Sequence, residues 1–426
     1  MIGEVQSHAL ACGCDAVGHG PALISVEDAL AKISKWVSPV SETEQLGLSQ
    51  AQGRILAQDV CAKSDLPPFD NSAMDGYTVN TASLSGTGPW SLKIVDRIAA
   101  GQAAGVGLEH GTAARIFTGA PIPTGANAVV MQENTERTAS EITIRFRPQS
   151  GDNIRRAGEE LAKGSPILSA GTTLDTRAIA ALAASGHGQV TVRRTIRVAL
   201  LITGDEVQPA GETLTGGGIW DVNTPMLRAS LNKPSIELVT VAHCPDDRQQ
   251  FTDVVQDLSS KVDLLITSGA VSVGEEDHVK PALESLGVDM LFSGVAIKPG
   301  KPISVGQVDK LLWVGLPGNP LSALTTWKIF GKAVLKSLCG QTAKAISPQL
   351  VQIAAEIHRK CGRTEYRPAT LGTSGLTGFK IAHFAQSSHS ARVTGLVHAD
   401  GFITIPAEVD HLPKGALVEF LPFQDA

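Results

Sequence analysis

Four apolar runs of strand length recur in the second half of the chain, and each ends in a loop of unusual composition. Val198 to Ile202 ends in Thr203-Gly204-Asp205-Glu206; Ile236 to Val241 ends at Pro245-Asp246-Asp247; Val262 to Thr267 enters SGAVSVGEEDHVK (268–280); Leu311 to Val314 enters GLPGNP (315–320). A continuous apolar run bounded by polar turns suits a strand buried on both faces. Between the runs, Phe251, Val254, Val255 and Leu258 recur at helical spacing, and a long apolar helix is predicted from Pro320 to about Leu338. Strand, loop and helix in repetition predict an α/β fold with a doubly wound, mostly parallel sheet, whose ligands sit at the carboxyl ends of the strands.

Elsewhere the pattern is shorter. Ser25-Val26-Glu27-Asp28, followed by Ala29, Leu30, Ile33 and Trp36, reads as a capped amphipathic helix. Beyond Pro67-Pro68, the runs Ser91 to Val95, Ala113 to Phe117, Ala128 to Met131 and Glu141 to Phe146 are broken by glycine and proline, which predicts a β-rich insert. Residues 164–174 suggest a strand and loop, and 176–185 an alanine-rich helix. Val351 to Ile357, Gly401 to Ile405 and Leu417 to Phe420 predict a small C-terminal β domain. The expected division is a discontinuous N-terminal domain (22–64 plus 150–195), the insert (65–149), the sheet domain (196–342) and the C-terminal β domain (343–426).

Composition narrows the function. With 426 residues the chain has room for several cores. Aromatics make up 4% and the formal net charge is −6, which argues against nucleic acid and anionic membranes as partners. The six cysteines are scattered, without a paired C-x-x-C, and the spacing of His8, Cys12, Cys14 and His19 fits no standard metal site. With no signal-peptide pattern and no long apolar run, a cytoplasmic protein is expected.

The loops carry the candidate chemistry. Lys298 and Lys301 flank a Pro-Gly turn in AIKPGKP (296–302) and are suited to clamping a tetrahedral oxyanion; the plainer alternative is a solvated turn. Thr203 to Glu206, Ser268 to Asp277, Lys298 to Lys301 and Pro317 to Pro320 are expected to meet in one crevice. Glycine-lined backbone and ammonium groups suit phosphate, whereas carboxylates suit a hard cation such as Mg²⁺. That mixture accounts for three acids, Glu275, Glu276 and Asp277, beside an anion-binding loop, although Glu276 reads better as a helix-start acid. PPFDNSAMDGY (67–77) is either a dense turn network or a second lip of the site.

With these pieces in place, the sequence resembles the MoeA/gephyrin family of molybdopterin molybdenumtransferases. The matching stretches are PPFDNSAMDGY, FTGAPIPTGANAVVMQE (117–133), GDNIRRAGEE (151–160), TGDEV (203–207), SGAVSVGEEDHV (268–279), AIKPGKPISVG (296–306) and GLPGNPLSAL (315–324). The resemblance implies that adenylyl-molybdopterin is bound, its phosphoanhydride is cleaved with release of AMP, and molybdate is inserted at the dithiolene. It implies Mg²⁺ as cofactor, and a homodimer in which Asp75 enters the site from the neighbouring chain. Glu206 and Asp277 would handle metal and phosphate, and Lys298 and Lys301 the oxyanion. Thr203, Gly204, Asp205, Asp246, Asp247, Ser268, Gly269, Ser272, Pro317, Gly318, Asn319 and Pro320 would line the substrate site. Transient contacts with molybdopterin adenylyltransferase and with molybdoenzymes follow from the same resemblance.

Three positions depart from the family pattern. Gly269-Ala270 stands for Gly-Gly, and Gly158-Glu159-Glu160 for GED. Where the family commonly has an oxyanion-binding arginine the chain has Pro368, leaving Arg367 and Arg363 as candidates to replace it; Ser388 matches the family's serine. Two other functions compete: an adenylyltransferase or nucleotide hydrolase on a related sheet, and a scaffold that keeps the fold to bind a partner protein. The insert with Asp75 and the C-terminal domain favour molybdenum insertion over the first, and the intact acids and lysines favour chemistry over the second.

Overall fold

The computed structural model describes residues 23–105, 107–269, 278–342, 348–373, 378–386 and 393–423. The chain forms two compact units: one comprises the chain up to Glu44, Gly53–Ile55 and everything from Arg193, the other Gln45–Gln52 and Leu56–Val192.

The first unit opens with α1 (Val26–Trp36), where the Ser25 hydroxyl accepts the Asp28 N–H at 2.9 Å, the cap its sequence predicts. In the second unit, β1 (Gly76–Val79), β2 (Trp90–Ile98), β3 (Thr112–Ile116), β4 (Ala128–Met131), β5 (Thr135–Arg137) and β6 (Glu141–Ile144) form a six-stranded sheet in the order β4-β1-β3-β2-β6-β5. The predicted strands of the insert are all present. β1 and β5 were not foreseen, because Gly76 to Val79 follows a run of turn residues and Thr135 to Arg137 carries no apolar residue. Helix α2 (Thr176–Ala184) is capped by Asp175.

The remainder of the first unit is built on a second six-stranded sheet. Its elements are β7 (Ile196–Thr203), α3 (Asn223–Leu231), β8 (Ile236–Cys244), α4 (Arg248–Leu258), β9 (Leu264–Ser268), α5 (Val279–Ser285), β10 (Asp289–Ser293), the short β11 (Ile297–Lys298), β12 (Ser304–Val308), β13 (Leu311–Leu316), α6 (Pro320–Thr326) and α7 (Lys332–Leu338). The order is β8-β7-β9-β13-β12-β10. The first four strands are parallel, as predicted; β12 and β10 join antiparallel, which the sequence reading did not foresee. Alternate residues of each central strand enter different cores. Val198, Leu200, Leu264, Ile266 and Val314 pack with α1, α3, α6 and α7, whereas Ala199, Leu201, Leu265 and Trp313 pack with α4 and α5. Burial on both faces is why these runs are apolar without alternation. The predicted long helix after β13 is interrupted by a π turn at Trp327–Gly331.

The last elements are β14 (Gln349–Ile353), β15 (Ile357–His358), β16 (Thr364–Gly372), β17 (Ile381–Phe384), β18 (Gly401–Ile405), β19 (His411–Leu412) and β20 (Leu417–Pro422). Strands β16, β17, β14, β20 and β18 close into a ring because β16 also pairs with β18, so the ring has no free edge. β11 pairs in parallel with the start of β16, which sets Lys298 across from Glu365.

Candidate active site

At the carboxyl ends of β7, β9 and β13 the described starts of three loops, Thr203, Ser268–Gly269 and Pro317–Gly318, come together. Ser268, 1% exposed, lies opposite Ile202 on β7 and Leu316 on β13. Its hydroxyl donates to the Pro317 carbonyl at 3.3 Å and accepts from Asn223 Nδ2 at 2.9 Å; the same amide group donates to the Gly318 carbonyl at 2.7 Å. Gly269 has φ +103°, and a Cβ built there would lie 2.6 Å from the Thr203 carbonyl oxygen, so only glycine fits this approach. A Cβ built on Gly318 would meet the Gly269 Cα at 3.6 Å, an ordinary contact that sets these two glycines side by side. The Oγ1 of Thr203 and the Oδ1 of Asn223 are buried and have no hydrogen-bond partner among the described residues. Such buried polar atoms suit a ligand or water. Asn319 precedes α6 as its N-cap and Pro320 is its first residue.

The acids surround this point. Asp205 and Asp246 exchange backbone N–H to carboxylate hydrogen bonds, each at 3.2 Å. The Glu206 carboxylate folds back over Gly204, and His243 Nε2 lies 2.8 Å from the Gly204 carbonyl oxygen. Asp247 caps α4 through the Gln250 N–H at 2.7 Å, which gives it a structural task. Asp205, Glu206 and Asp246 offer hard, anionic oxygens, with no thiolate among them, and that donor set fits Mg²⁺. Ala270, Ser272, Glu275, Glu276 and Asp277 lie outside the described residues, as does Ser388.

The lysine turn packs on α6, where a Cβ built on Gly300 would meet Thr326 and the Ser322 carbonyl oxygen. Gly300 packs so closely on Thr326 that no side chain fits between them. Lys298 Nζ is 3.8 Å from the Glu365 carboxylate, which is 1% exposed as a residue and also lies 2.8 Å from Arg367 Nε and 3.5 Å from Arg359 Nη1. One buried acid thus gathers three cations. Lys301 is partly buried on the same turn.

Compared with known proteins, residues 24–186 match the MoeA N-terminal region (domain I and II), 199–337 a probable molybdopterin binding domain, and 351–423 the MoeA C-terminal region (domain IV). The chain belongs to the MoeA family. It is 33% identical over 405 residues to a molybdopterin molybdenumtransferase of Haemophilus influenzae, covering 94% of this chain and 99% of that one. A molybdopterin molybdenumtransferase 2 of Mycobacterium tuberculosis is 35% identical over 87% of this chain and 93% of its own. A molybdopterin biosynthesis MoeA protein from Pyrococcus horikoshii superposes with a TM-score of 0.80 at 26% identity, covering 94% of this chain and 100% of that one.

In this MoeA chain, Pro368 lies on β16 opposite Phe402 of β18. Arg367 is 4% exposed and is already engaged by Glu365 and, through Nη1, by the Gln386 carbonyl at 3.1 Å. Arg363 offers its carbonyl to Arg359 Nη1 at 2.7 Å. Arg359 was missed by sequence reasoning, since nothing in its spacing points at Glu365. Asn223 was missed too; its one signal is Trp220-Asp221-Val222-Asn223 before an amphipathic stretch, with Asp221 accepting the Thr224 N–H at 2.9 Å.

In the second unit the PPFDNSAMDGY loop is a dense turn network. Ser72 Oγ donates to the Met74 carbonyl at 2.6 Å, and Asp70 accepts the Ala157 N–H at 2.8 Å. Asp75 Oδ1 accepts both the N–H and the hydroxyl of Thr118 at 2.8 Å. The Thr118 N–H, then its hydroxyl, hold the Asp75 carboxyl below the usual carboxylate range against a small desolvation effect, and the Arg115 charge adds to this. Arg115 in turn stacks over Tyr77 and Phe117, each at 5.0 Å.

Proposed function

We propose that this chain is a molybdopterin molybdenumtransferase that binds adenylyl-molybdopterin, releases AMP and inserts molybdate at the dithiolene. The observation that carries the reading is the meeting of Thr203, Ser268, Gly269 and Gly318 beside Asp205, Glu206 and Asp246. Close backbone approach leaves room for a phosphate, and Thr203 Oγ1 and Asn223 Oδ1 supply buried polar atoms to orient it. Glu206, with Asp277 by its place in the serine motif, would hold Mg²⁺, which when bound neutralises charge on the phosphoanhydride. The remaining substrate-lining positions keep the roles the motifs give them, except Asp247, whose capping bond explains it without substrate. Lys298, Lys301 and Arg367 attract the oxyanion, with Glu365 fixing the position of Arg367. A homodimer with Asp75 supplied by the second copy, a cytoplasmic location, and transient contact with the adenylyltransferase and with molybdoenzymes belong to the same reading.

The test incubates purified protein with adenylyl-molybdopterin, Mg²⁺ and molybdate and follows AMP. Release that needs all three, and that falls in Glu206→Gln and Asp277→Asn, is the expected result. Adenylylation of molybdopterin from ATP, with no molybdate-dependent AMP release, would replace this reading with an adenylyltransferase.

A further inference from the structure

A second group of metal-ligating side chains lies on the C-terminal strands. β15 and β19 pair antiparallel with His358 directly opposite His411, so both imidazoles project from the same face. Their rings stack with centroids 4.3 Å apart and 17° between planes. Glu356, two residues before His358, places Oε2 3.6 Å from His358 Nε2 and 3.9 Å from His411 Nε2. All three side chains are exposed, and their candidate ligand atoms lie within 4.8 Å of one another.

We propose that Glu356, His358 and His411 form a surface site for a divalent transition metal, with Zn²⁺ as the reference ion. Two imidazole nitrogens and one carboxylate oxygen are a donor set that Zn²⁺ prefers and Mg²⁺ does not. Ligand atoms around a tetrahedral ion at about 2.0 Å lie about 3.3 Å apart, so the observed separations close with small side-chain rotations. The fourth position opens to solvent and takes water.

The backbone beneath the group is already fixed, so little ordering remains for binding to impose. Arg359, next to His358, donates its backbone N–H to the Asp410 carbonyl at 2.8 Å, and its guanidinium donates to the Val409 and Pro406 carbonyls at 2.8 and 3.1 Å. Gln386 Nε2 donates to the Glu356 carbonyl at 3.2 Å. The same Arg359 reaches Glu365, so a metal tying β15 to β19 would brace the residue that faces the buried acid.

The experiment titrates the full untagged chain with Zn²⁺ by calorimetry in the presence of excess Mg²⁺, and with Co²⁺ by absorption. One Zn²⁺ equivalent that Mg²⁺ does not displace is expected, weakened at least tenfold in His358→Gln and in His411→Gln and less in Glu356→Gln. Co²⁺ should give tetrahedral visible bands without the near-ultraviolet thiolate bands that cysteine ligation would add. Because the three side chains are exposed, the unliganded variants should melt as the wild type does, and Zn²⁺ should raise the melting temperature of the wild type more than that of either histidine variant. No binding, or binding unchanged in both histidine variants, overturns the proposal and leaves an ordinary cross-strand histidine pair beside a carboxylate.

Discussion

Asn223 holds Ser268 and the turn after β13 together: one amide nitrogen donates to Ser268 Oγ at 2.9 Å and to the Gly318 carbonyl at 2.7 Å. The residue is 7% exposed, so neither bond is easily replaced by water. Asn223→Ala should lower unfolding stability by about 1–3 kcal/mol, the cost of leaving buried partners unsatisfied. Asn223→Asp should keep the shape yet place negative charge where the nucleotide phosphate is proposed to sit. Its affinity for adenylyl-molybdopterin should therefore fall further than that of the alanine variant. Calorimetric titration beside urea unfolding separates the two effects, and equal affinities in both variants would remove Asn223 from the phosphate's surroundings.

Glu365 makes a second, independent prediction. Its carboxylate sits among Arg367, Arg359 and Lys298 with a side chain only 2% exposed. Removing one member of a buried charge group leaves the others uncompensated, at a cost of about 3–5 kcal/mol. Glu365→Gln should be destabilised on that scale, because the amide keeps the size but loses the charge. A change under 1 kcal/mol, by the approximate standard for exposed pairs, would mean that water screens the group.

These two residues mark where sequence reading stops. The parallel strands were legible because burial on both faces leaves Val198 to Ile202 and Leu264 to Ile266 apolar without interruption. Glycine-rich tips were legible because close backbone approach excludes a Cβ, as at Gly269. By contrast Thr364 to Gly372 carries Glu365, Arg367 and Pro368 and is not among the runs the pattern marks as strands; it is a strand because the charges neutralise one another inside the ring. The antiparallel pair β10 and β12 was missed because the AIKPGKP turn between them drew attention as chemistry, not as a connection. Meeting of Lys298 with Glu365 depends on β11 pairing with β16, and no local spacing encodes that register.

Asp75 gives a pH signature whose sign is fixed by its partners. The two Thr118 hydrogen bonds favour the ionised carboxylate and lower its pKa in the folded state. A group with a depressed folded pKa contributes stability above its unfolded value, about 3.9, and loses it as pH falls through the folded value. Wild type should therefore exceed Asp75→Asn by a constant margin from neutral pH down to about 5, and the margin should shrink below about pH 4. Urea midpoints of both proteins at each pH check this. A margin that stays level to pH 3 would show that the Thr118 bonds do not depend on the charge.

The two lysines divide stability from binding. Lys298 pairs with Glu365 at 3.8 Å, but its side chain is 41% exposed, so the pair is worth only about 0–1 kcal/mol to folding. If Lys298 and Lys301 hold the oxyanion, each loss removes a charge-assisted contact of roughly 1.5–3 kcal/mol, a ten- to hundredfold effect on affinity. Lys301→Ala should weaken the molybdate response, and Lys298→Ala should weaken binding of the pterin nucleotide as well, while both variants unfold close to wild type. Lys298→Arg should recover part of the charge attraction near Glu365 but not the compact ammonium geometry, and so fall between wild type and alanine. Titration of each variant with adenylyl-molybdopterin and with molybdate decides the matter. Wild-type affinity in both alanine variants would make AIKPGKP a structural turn, held by the packing of Gly300 against Thr326 and by the pairing of β11 with β16.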